Sequence, residues 1–482
     1  MKNIPCPISH NAADYPHRPA LTSRSRIISY EELNHIVDAT VVRLQERGIA
    51  PGDVVAALSW NTIEYTILFF AAFRLGFILM PLNCRLTPTD WDDQIMRAEA
   101  TLLACGEEFK DISGLPVPSI ELKALIAPQA NKTEIEKSEN YSLDREALIM
   151  FSSGSTGAPR GVVLTWGNLY YSALGLLSVM PFGENDCWPA TLPFFHIGGI
   201  SIPLRTALAG GSTRIMPGFE PDEIIKAAAT GDISHLSVVP TMLVELMRVD
   251  TQNILAGMKA IILGGARIEK SLLEEVERRK LPVLTTYGLT ETASMVTLLS
   301  PQDRPAGLAT AGKTLPYREL KIDVESGRIV VRGETLFARY LDEMESTGLS
   351  RREWLTTEDI GSLTEDGILT VLGRHDEMII SGGENISPAT IEEALCRIEE
   401  VEAAVVLSQP DTKWGYRPVA FVQSSGDSLT EAGILEMLRR RLASIMIPDR
   451  VIIIESIPLT GSGKYDRPAL WRQLAEILGE SD

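Results

Sequence analysis

The stretch Ala147-Leu-Ile-Met-Phe-Ser-Ser-Gly-Ser-Thr-Gly-Ala-Pro-Arg-Gly-Val-Val-Leu164 decides how this chain is read. An apolar run of strand length, Ala147–Met150, enters a loop, and a second run, Val162–Leu164, leaves it. Between them, Phe151 to Gly161 is crowded with hydroxyls and glycines. Glycine lets successive backbone N–H groups turn toward one point, and hydroxyls add donors, so the loop suits polyphosphate oxygens. The GxxxxGK[ST] spacing is absent, so this is not a Walker loop. Taken alone, a Ser/Thr/Gly loop is as often no more than a flexible turn.

The surroundings of the loop set the fold class. Val54–Trp60, Phe77–Leu82, Leu148–Phe151, His235–Val239, Ala260–Leu263 and Val283–Thr286 read as buried strands. Amphipathic helices fall between them: one opened by a capping box at Ser29-Tyr30-Glu31-Glu32 and stopping near Gly48, then Pro221–Thr230, Thr241–Val249 and Lys270–Lys280. Such alternation predicts α/β layers. Near residue 328 the character changes to short strands (Arg328–Arg332, Ile368–Leu372, Met378–Ile380) with tight turns. A helix then opens at Ser387-Pro388, followed by the strands Ala403–Leu407 and Val419–Val422, the helix Leu429–Ser444 and the strand Arg450–Glu455. The expected organisation is an α/β chain with a large multi-layer N-terminal domain, 1–373, containing α/β sheets and a small β-barrel-like part. A small α+β domain, 374–482, follows it.

Composition narrows the partners. Across 482 residues, 45 Lys and Arg stand against 64 Asp and Glu, a formal charge of −19. That balance argues against nucleic acid or an anionic membrane surface, which need clustered cations. It leaves room for a small anionic ligand in one positive pocket. The five cysteines (Cys6, Cys84, Cys105, Cys187 and Cys396) form no CxxC pair, so scattered thiols in a reducing cytoplasm are expected. Met1–Pro19 holds no apolar run of the signal-peptide type. The greasiest stretch, Thr66–Leu82, is interrupted by Arg74 and Gly76 and reads as a buried helix running into a strand, not a membrane span.

Further motifs recur along the chain in a fixed order. They are Leu192-Pro-Phe-Phe-His-Ile-Gly-Gly199, Leu263-Gly-Gly-Ala266, Thr286-Tyr-Gly-Leu-Thr-Glu-Thr292, Thr357-Glu-Asp-Ile-Gly361, Gly373-Arg-His-Asp376, Ser381-Gly-Gly-Glu-Asn-Ile386 and Thr460-Gly-Ser-Gly-Lys-Tyr-Asp-Arg467. Together with the loop they resemble the acyl-adenylate-forming superfamily: acyl-CoA synthetases, luciferases and peptide-synthetase adenylation domains. The resemblance covers nearly the whole chain. Each motif is weak alone, and their order makes the set specific.

The resemblance implies ATP, Mg²⁺ and coenzyme A as the small-molecule partners, beside a carboxylic acid. Adenylation brings a carboxylate to the α-phosphate of ATP, so positive charge must be aimed at the reacting oxygens. Lys464 is the implied catalytic cation, although an isolated GSGK is usually a solvated surface lysine. Ser152, Ser153, Gly154, Ser155, Thr156, Gly157 and Arg160 would cradle the phosphates. Gly264, Gly265, Ala266, Thr286, Tyr287, Gly288 and Thr290 would form the adenine side, with Tyr287 stacking on the base. Asp359 would take the ribose hydroxyls with Arg374 nearby. Glu291 would bind Mg²⁺ with Thr156 assisting, since magnesium needs few protein oxygens beside substrate phosphates.

His196 is implied to gate the acyl pocket and CoA tunnel; the acid arrives already deprotonated and needs no base. Gly382 and Gly383 would line the CoA side after the small domain turns about a hinge at Asp376. Two departures from the superfamily pattern stand out. Arg160 replaces a lysine, exchanging a point charge for a planar fork, and Glu358 replaces a glycine.

Several details resemble one branch, the o-succinylbenzoate–CoA ligases of menaquinone biosynthesis. These are the short length, the histidine of the LPFFHIGG run, Ser237-Val-Val-Pro-Thr241, Thr292-Ala-Ser-Met-Val-Thr297, Ala311–Ile322 and Asp411–Val422. That branch implies the conversion of 2-succinylbenzoate, ATP and CoA to the thioester, AMP and diphosphate; another aryl- or medium-chain acyl-CoA synthetase would share the chemistry. For a dicarboxylate, Gly198, Ser201, Arg205, Thr292 and Ser294 are the candidate acyl-side residues, with Arg205 equally readable as a structural ion-pair partner. The oligomeric state is left open.

Overall fold

Ser29 opens the first long helix. Its hydroxyl accepts from the Glu32 N–H at 3.2 Å and the helix runs Tyr30–Glu46. Only half of the expected capping box forms, because the Glu32 carboxylate turns to Arg26 instead. The greasy stretch is a helix, Ile63–Leu75, that stops at Gly76 with φ +96° and turns directly into the strand Ile78–Pro81. The computed structural model describes residues 3–112, 114–126, 140–152, 159–304, 307–343, 353–375, 377–381, 384–424, 426, 429–459 and 465–478.

Helices and sheets alternate through the first three hundred residues. One seven-stranded sheet has the order Arg339–Tyr340, Arg160–Thr165, Glu146–Ser152, Ile78–Pro81, Val54–Leu58, Leu102–Cys105, Ser119–Glu121. Its central strands pair in parallel and are buried on both faces, which is why they read as unbroken apolar runs. A four-stranded sheet joins Cys187–Ala190, Ser212–Ile215, Pro19–Thr22 and Ile27–Ser29. A nine-stranded sheet begins with three parallel strands, His235–Val238, Ala260–Leu263 and Val283–Leu289. It then turns antiparallel from Ser294–Leu298 through to Arg318–Ile322. The antiparallel part curls around its own core of Tyr287, Val296, Ala311, Ile329, Val331 and Leu369, the small barrel-like part expected from sequence.

The tail forms a separate five-stranded sheet with its own core, centred on Ile391, Leu395, Val406, Ala420, Val422, Ile434 and Leu438. The helix expected over 429–444 is shorter, Glu431–Arg439, and a 3₁₀ turn, Ser444–Met446, follows it. All five cysteines are free thiols. Among the described residues no helix is long and apolar enough to cross a membrane.

Candidate active site

The parallel strands Glu146–Ser152, His235–Val238 and Ala260–Leu263 end at one crevice, the usual place for a ligand in an open α/β sheet. A cavity of about 900 Å³ opens there, between the two large sheets and the small domain's Leu459. Ser152 and Arg160, on either side of the hydroxyl-rich loop, line it. Ser153, Gly154, Ser155, Thr156 and Gly157 lie outside the described residues, as do Asp376, Gly382, Gly383 and Lys464. Gly264, Gly265, Thr286, Gly288, Thr290, Glu291, Asp359 and Arg374 also line the cavity, so the structure brings the dispersed motifs to one place.

Tyr287 departs from its expected position. Thr286 and Gly288 line the cavity, and Tyr287 between them faces the barrel-like core. Its hydroxyl donates to Asp359 Oδ2 at 2.7 Å and so props the aspartate. Ala266 likewise does not line the cavity. Asp359 is 8 % exposed and lies 3.8 Å from Arg374 Nη1, its cross-strand partner. Gly288 admits no other residue, because an added Cβ would sit 1.9 Å from the Ser294 carbonyl oxygen.

Arg160 and Glu291 are joined by a residue the sequence reading missed. The Arg160 guanidinium lies 5.2 Å from the centre of the Tyr340 ring, and the Tyr340 hydroxyl donates to Glu291 Oε1 at 3.3 Å. Burial pushes this phenol up to about 12, with the neighbouring Glu291 adding to the effect, so it stays a donor. The planar fork of Arg160 thus finds a ring face to stack on, a use that a lysine serves less well. Tyr340 sits in a two-residue strand between motifs, with no local pattern to mark it. Glu291 presents one carboxylate to the cavity, which fits the donor set of a magnesium ion that keeps phosphate and water ligands. The unusual Glu358 is held by Arg328 at 2.5 Å, and its carbonyl accepts the His375 N–H at 2.6 Å. Glu358 itself lines the cavity, with its charge paired to Arg328.

The end of the cavity to which the sequence motifs assign the acid is built from the helix Ile197–Leu208 and the strand Ser294–Leu298. His196 is the residue before the helix, half-buried, edge-on to Phe195 at 4.9 Å, and lines the cavity with Gly198. Gly199 packs under it: an added Cβ would lie 2.2 Å from the Pro193 carbonyl oxygen. Of Ser201, Arg205, Thr292 and Ser294, Ser294 alone lines the cavity. Ser201 returns its hydroxyl to the Ile197 carbonyl at 2.6 Å, and Thr292 donates to the Leu289 and Ser294 carbonyls at 3.0 Å.

Arg205 stands behind Ser294, 1 % exposed, and donates from Nη2 to its hydroxyl at 3.0 Å. Its Nε and Nη1 have no hydrogen-bond partner among the described residues, and no carboxylate among them pairs with it. Burial alone pushes this guanidinium down to about 10. The alternative of a structural ion pair therefore finds no partner among the described residues. Arg318, itself buried and held by the Met295, Pro316 and Ser172 carbonyls, adds a second cation nearby.

The AMP-binding enzyme pattern matches residues 8–341, and the AMP-binding enzyme C-terminal domain pattern matches residues 390–464. A curated relative from Bacillus cereus, named 2-succinylbenzoate–CoA ligase, is 34 % identical over 488 aligned positions, covering 99 % of this chain and 100 % of that protein. The o-succinylbenzoate CoA synthetase (MenE) of Bacillus subtilis, in complex with the acyl-adenylate intermediate OSB-AMP, superposes with a TM-score of 0.89 at 29 % identity, covering 98 % of each chain. A double mutant of the same synthetase bound to its product analogue OSB-NCoA, at the same identity and coverage, gives 0.72. Both domain patterns fall in sequence order, and the cavity lies where they meet: this chain belongs to the AMP-binding enzyme family.

Proposed function

We propose that this chain is an ATP-dependent acid–thiol ligase that converts 2-succinylbenzoate, ATP and CoA to the CoA thioester, AMP and diphosphate, a step of menaquinone biosynthesis. One observation carries the choice of acid: the buried Arg205 behind Ser294, which has no counter-charge among the described residues. A buried cation without a counter-ion is unfavourable, and an anionic group arriving at Ser294 relieves it. A monocarboxylate uses its only charge at the reacting end. A dicarboxylate has a second charge to place there. The names of the relatives agree with this reading.

The chemistry divides into two steps at one cavity. In the first, a carboxylate oxygen attacks the α-phosphorus and the bond to the diphosphate breaks. Arg160 and Lys464 would hold the anions together, Asp359 and Arg374 the ribose, and Glu291, oriented by Tyr340, the magnesium ion. A bound Mg²⁺ supplies charge neutralisation on the phosphates. In the second, the CoA thiolate attacks the acyl carbon and AMP leaves. The small domain, residues 374–482, would turn about Asp376 between the steps, exchanging Lys464 for Gly382-Gly383, with His196 at the gate. Five free thiols fit a reducing cytoplasm as the place of work.

Incubation of the full chain with ATP, Mg²⁺, CoA and a panel of acids, following AMP and thioester, tests the reading. Turnover with 2-succinylbenzoate well above that with benzoate or octanoate is expected. The reverse preference would overturn the assignment of the acid.

A further inference from the structure

The loop on the adenine side reaches the small domain through Arg267. This residue directly follows Gly264-Gly265-Ala266. It donates from Nη1 to Glu392 Oε2 at 2.8 Å and from Nη2 to the Ala389 carbonyl at 2.7 Å. Both partners belong to the helix Pro388–Cys396, the first helix of the small domain. The Glu392 side chain is 5 % exposed. It also accepts from Arg467 Nη2 and from the Val406 N–H, each at 2.9 Å and each within the small domain. Arg467 Nε then lies 3.2 Å from Glu377, Glu377 lies 4.0 Å from Arg374, and Arg374 lies 3.8 Å from Asp359. An alternating chain of charges therefore leaves the cavity at Asp359, passes through the small domain and returns beside Gly265.

We infer that Arg267 is a positioning residue that seats the small domain against the adenine-side loop for the adenylate-forming step. The inference rests on the two-step reading proposed above. Three features single this residue out. First, Glu392 keeps Arg467 and Val406 however the small domain sits, so the bond to Arg267 is severable without stranding a buried carboxylate. Second, Glu269 of the large domain lies in the field of Glu392 and Glu393. Arg267 is the cation between them, and without it like charges face each other across the boundary. Third, Tyr465 lies in the field of Glu269, Glu392 and Arg267, and bridges back to Leu459, which lines the cavity. An exposed ion pair would contribute little, but here one partner is buried and the guanidinium also holds a backbone carbonyl.

The test uses the full chain carrying Arg267→Ala or Arg267→Lys. Acid-dependent exchange between ATP and diphosphate reads the first step, and thioester formation from supplied acyl-adenylate and CoA reads the second. The alanine variant is expected to lose at least tenfold in exchange and to stay within about twofold of the parent in the second step. Lysine keeps one of the two bonds and should recover part of the loss.

A third readout needs no acid. With ATP and Mg²⁺ present, amide hydrogen exchange in Pro388–Cys396 should be slower in the parent chain than in the alanine variant. Equal exchange rates and equal amide protection in parent and alanine variant would overturn the inference. So would an equal fall in both half-reactions with lowered thermal stability, which marks a merely structural residue. If the parent chain rejects 2-succinylbenzoate while the amide difference persists, the proposed substrate fails and the seating role stands.

Discussion

Two of the buried arginines in this molecule are treated in opposite ways. Arg74, packed between the first two long helices with its side chain 1 % exposed, meets the Asp38 carboxylate, the Asn34 backbone and side chain, the Ser9 hydroxyl and the Cys6 sulfur. Burial, which would lower its pKa, is outweighed there by Cys6 and Asp38, and the guanidinium is raised above its ordinary value. Arg205, 1 % exposed behind the acyl end of the cavity, meets one neutral hydroxyl and a Trp188 ring at 5.9 Å. Nothing among the described residues offsets its burial, and it is pushed down to about 10. A structural arginine is surrounded by its own partners. The shortfall around Arg205 supports the proposal that it serves an anion arriving from outside, at Ser294.

The same substitution at both sites breaks the comparison most sharply. Arg74→Met leaves Asp38 buried without its cation, and chemical denaturation should show a loss of about 3–5 kcal/mol. Arg205→Met removes a cation that has no counter-ion among the described residues, so the ligand-free chain should hold its stability within about 1 kcal/mol or gain. Its effect should appear in catalysis: kcat/KM for 2-succinylbenzoate falls by about 30-fold or more, the equivalent of about 2 kcal/mol from a desolvated charge contact. A large stability loss in the second variant would make Arg205 another Arg74.

Ser294→Ala tests the relay between cation and cavity with a smaller effect. Losing one neutral hydrogen-bonding group of about 1 kcal/mol should raise KM for the diacid about fivefold and leave thermal stability close to the parent. The smallest effect is the one set by pH. Binding an anion favours the charged guanidinium, so affinity is fully present below the pKa of the free protein and is lost as pH rises through it. With that value at about 10, the dissociation constant of the diacid, measured calorimetrically, should be flat from about pH 7 to pH 9 and weaken above about pH 10. Weakening already between pH 7 and pH 8 would point to a different group.

Much of this was legible in the chain. The strands that deliver the cavity-lining loops are buried on both faces, so they appear as apolar runs, and the turns after them carry the motif residues. What escaped the sequence was direction. Tyr287 and Thr286 are neighbours, yet the alternation of a strand sends one to the cavity and the other to the barrel core. Ser201 was read as a ligand group, but inside a helix a serine hydroxyl readily bonds back to the carbonyl four residues earlier, as it does here with Ile197. Tyr340 and Arg267 act through partners 49 and 125 residues away, at separations that a local pattern does not encode.

The reading of Arg205 as the counter-charge for a second carboxylate is tested most directly by deleting that carboxylate from the substrate. The parent enzyme should be assayed for CoA thioester formation with 2-succinylbenzoate and with two analogues, 4-oxo-4-phenylbutanoate and 2-butanoylbenzoate, each lacking one of the two carboxylates. The analogue that keeps the reacting carboxylate is expected to fall below the diacid in kcat/KM by about 30-fold or more, with that gap collapsing in Arg205→Met, while the analogue without it should form no thioester in either enzyme. An analogue that matches the diacid in the parent enzyme would contradict this reading.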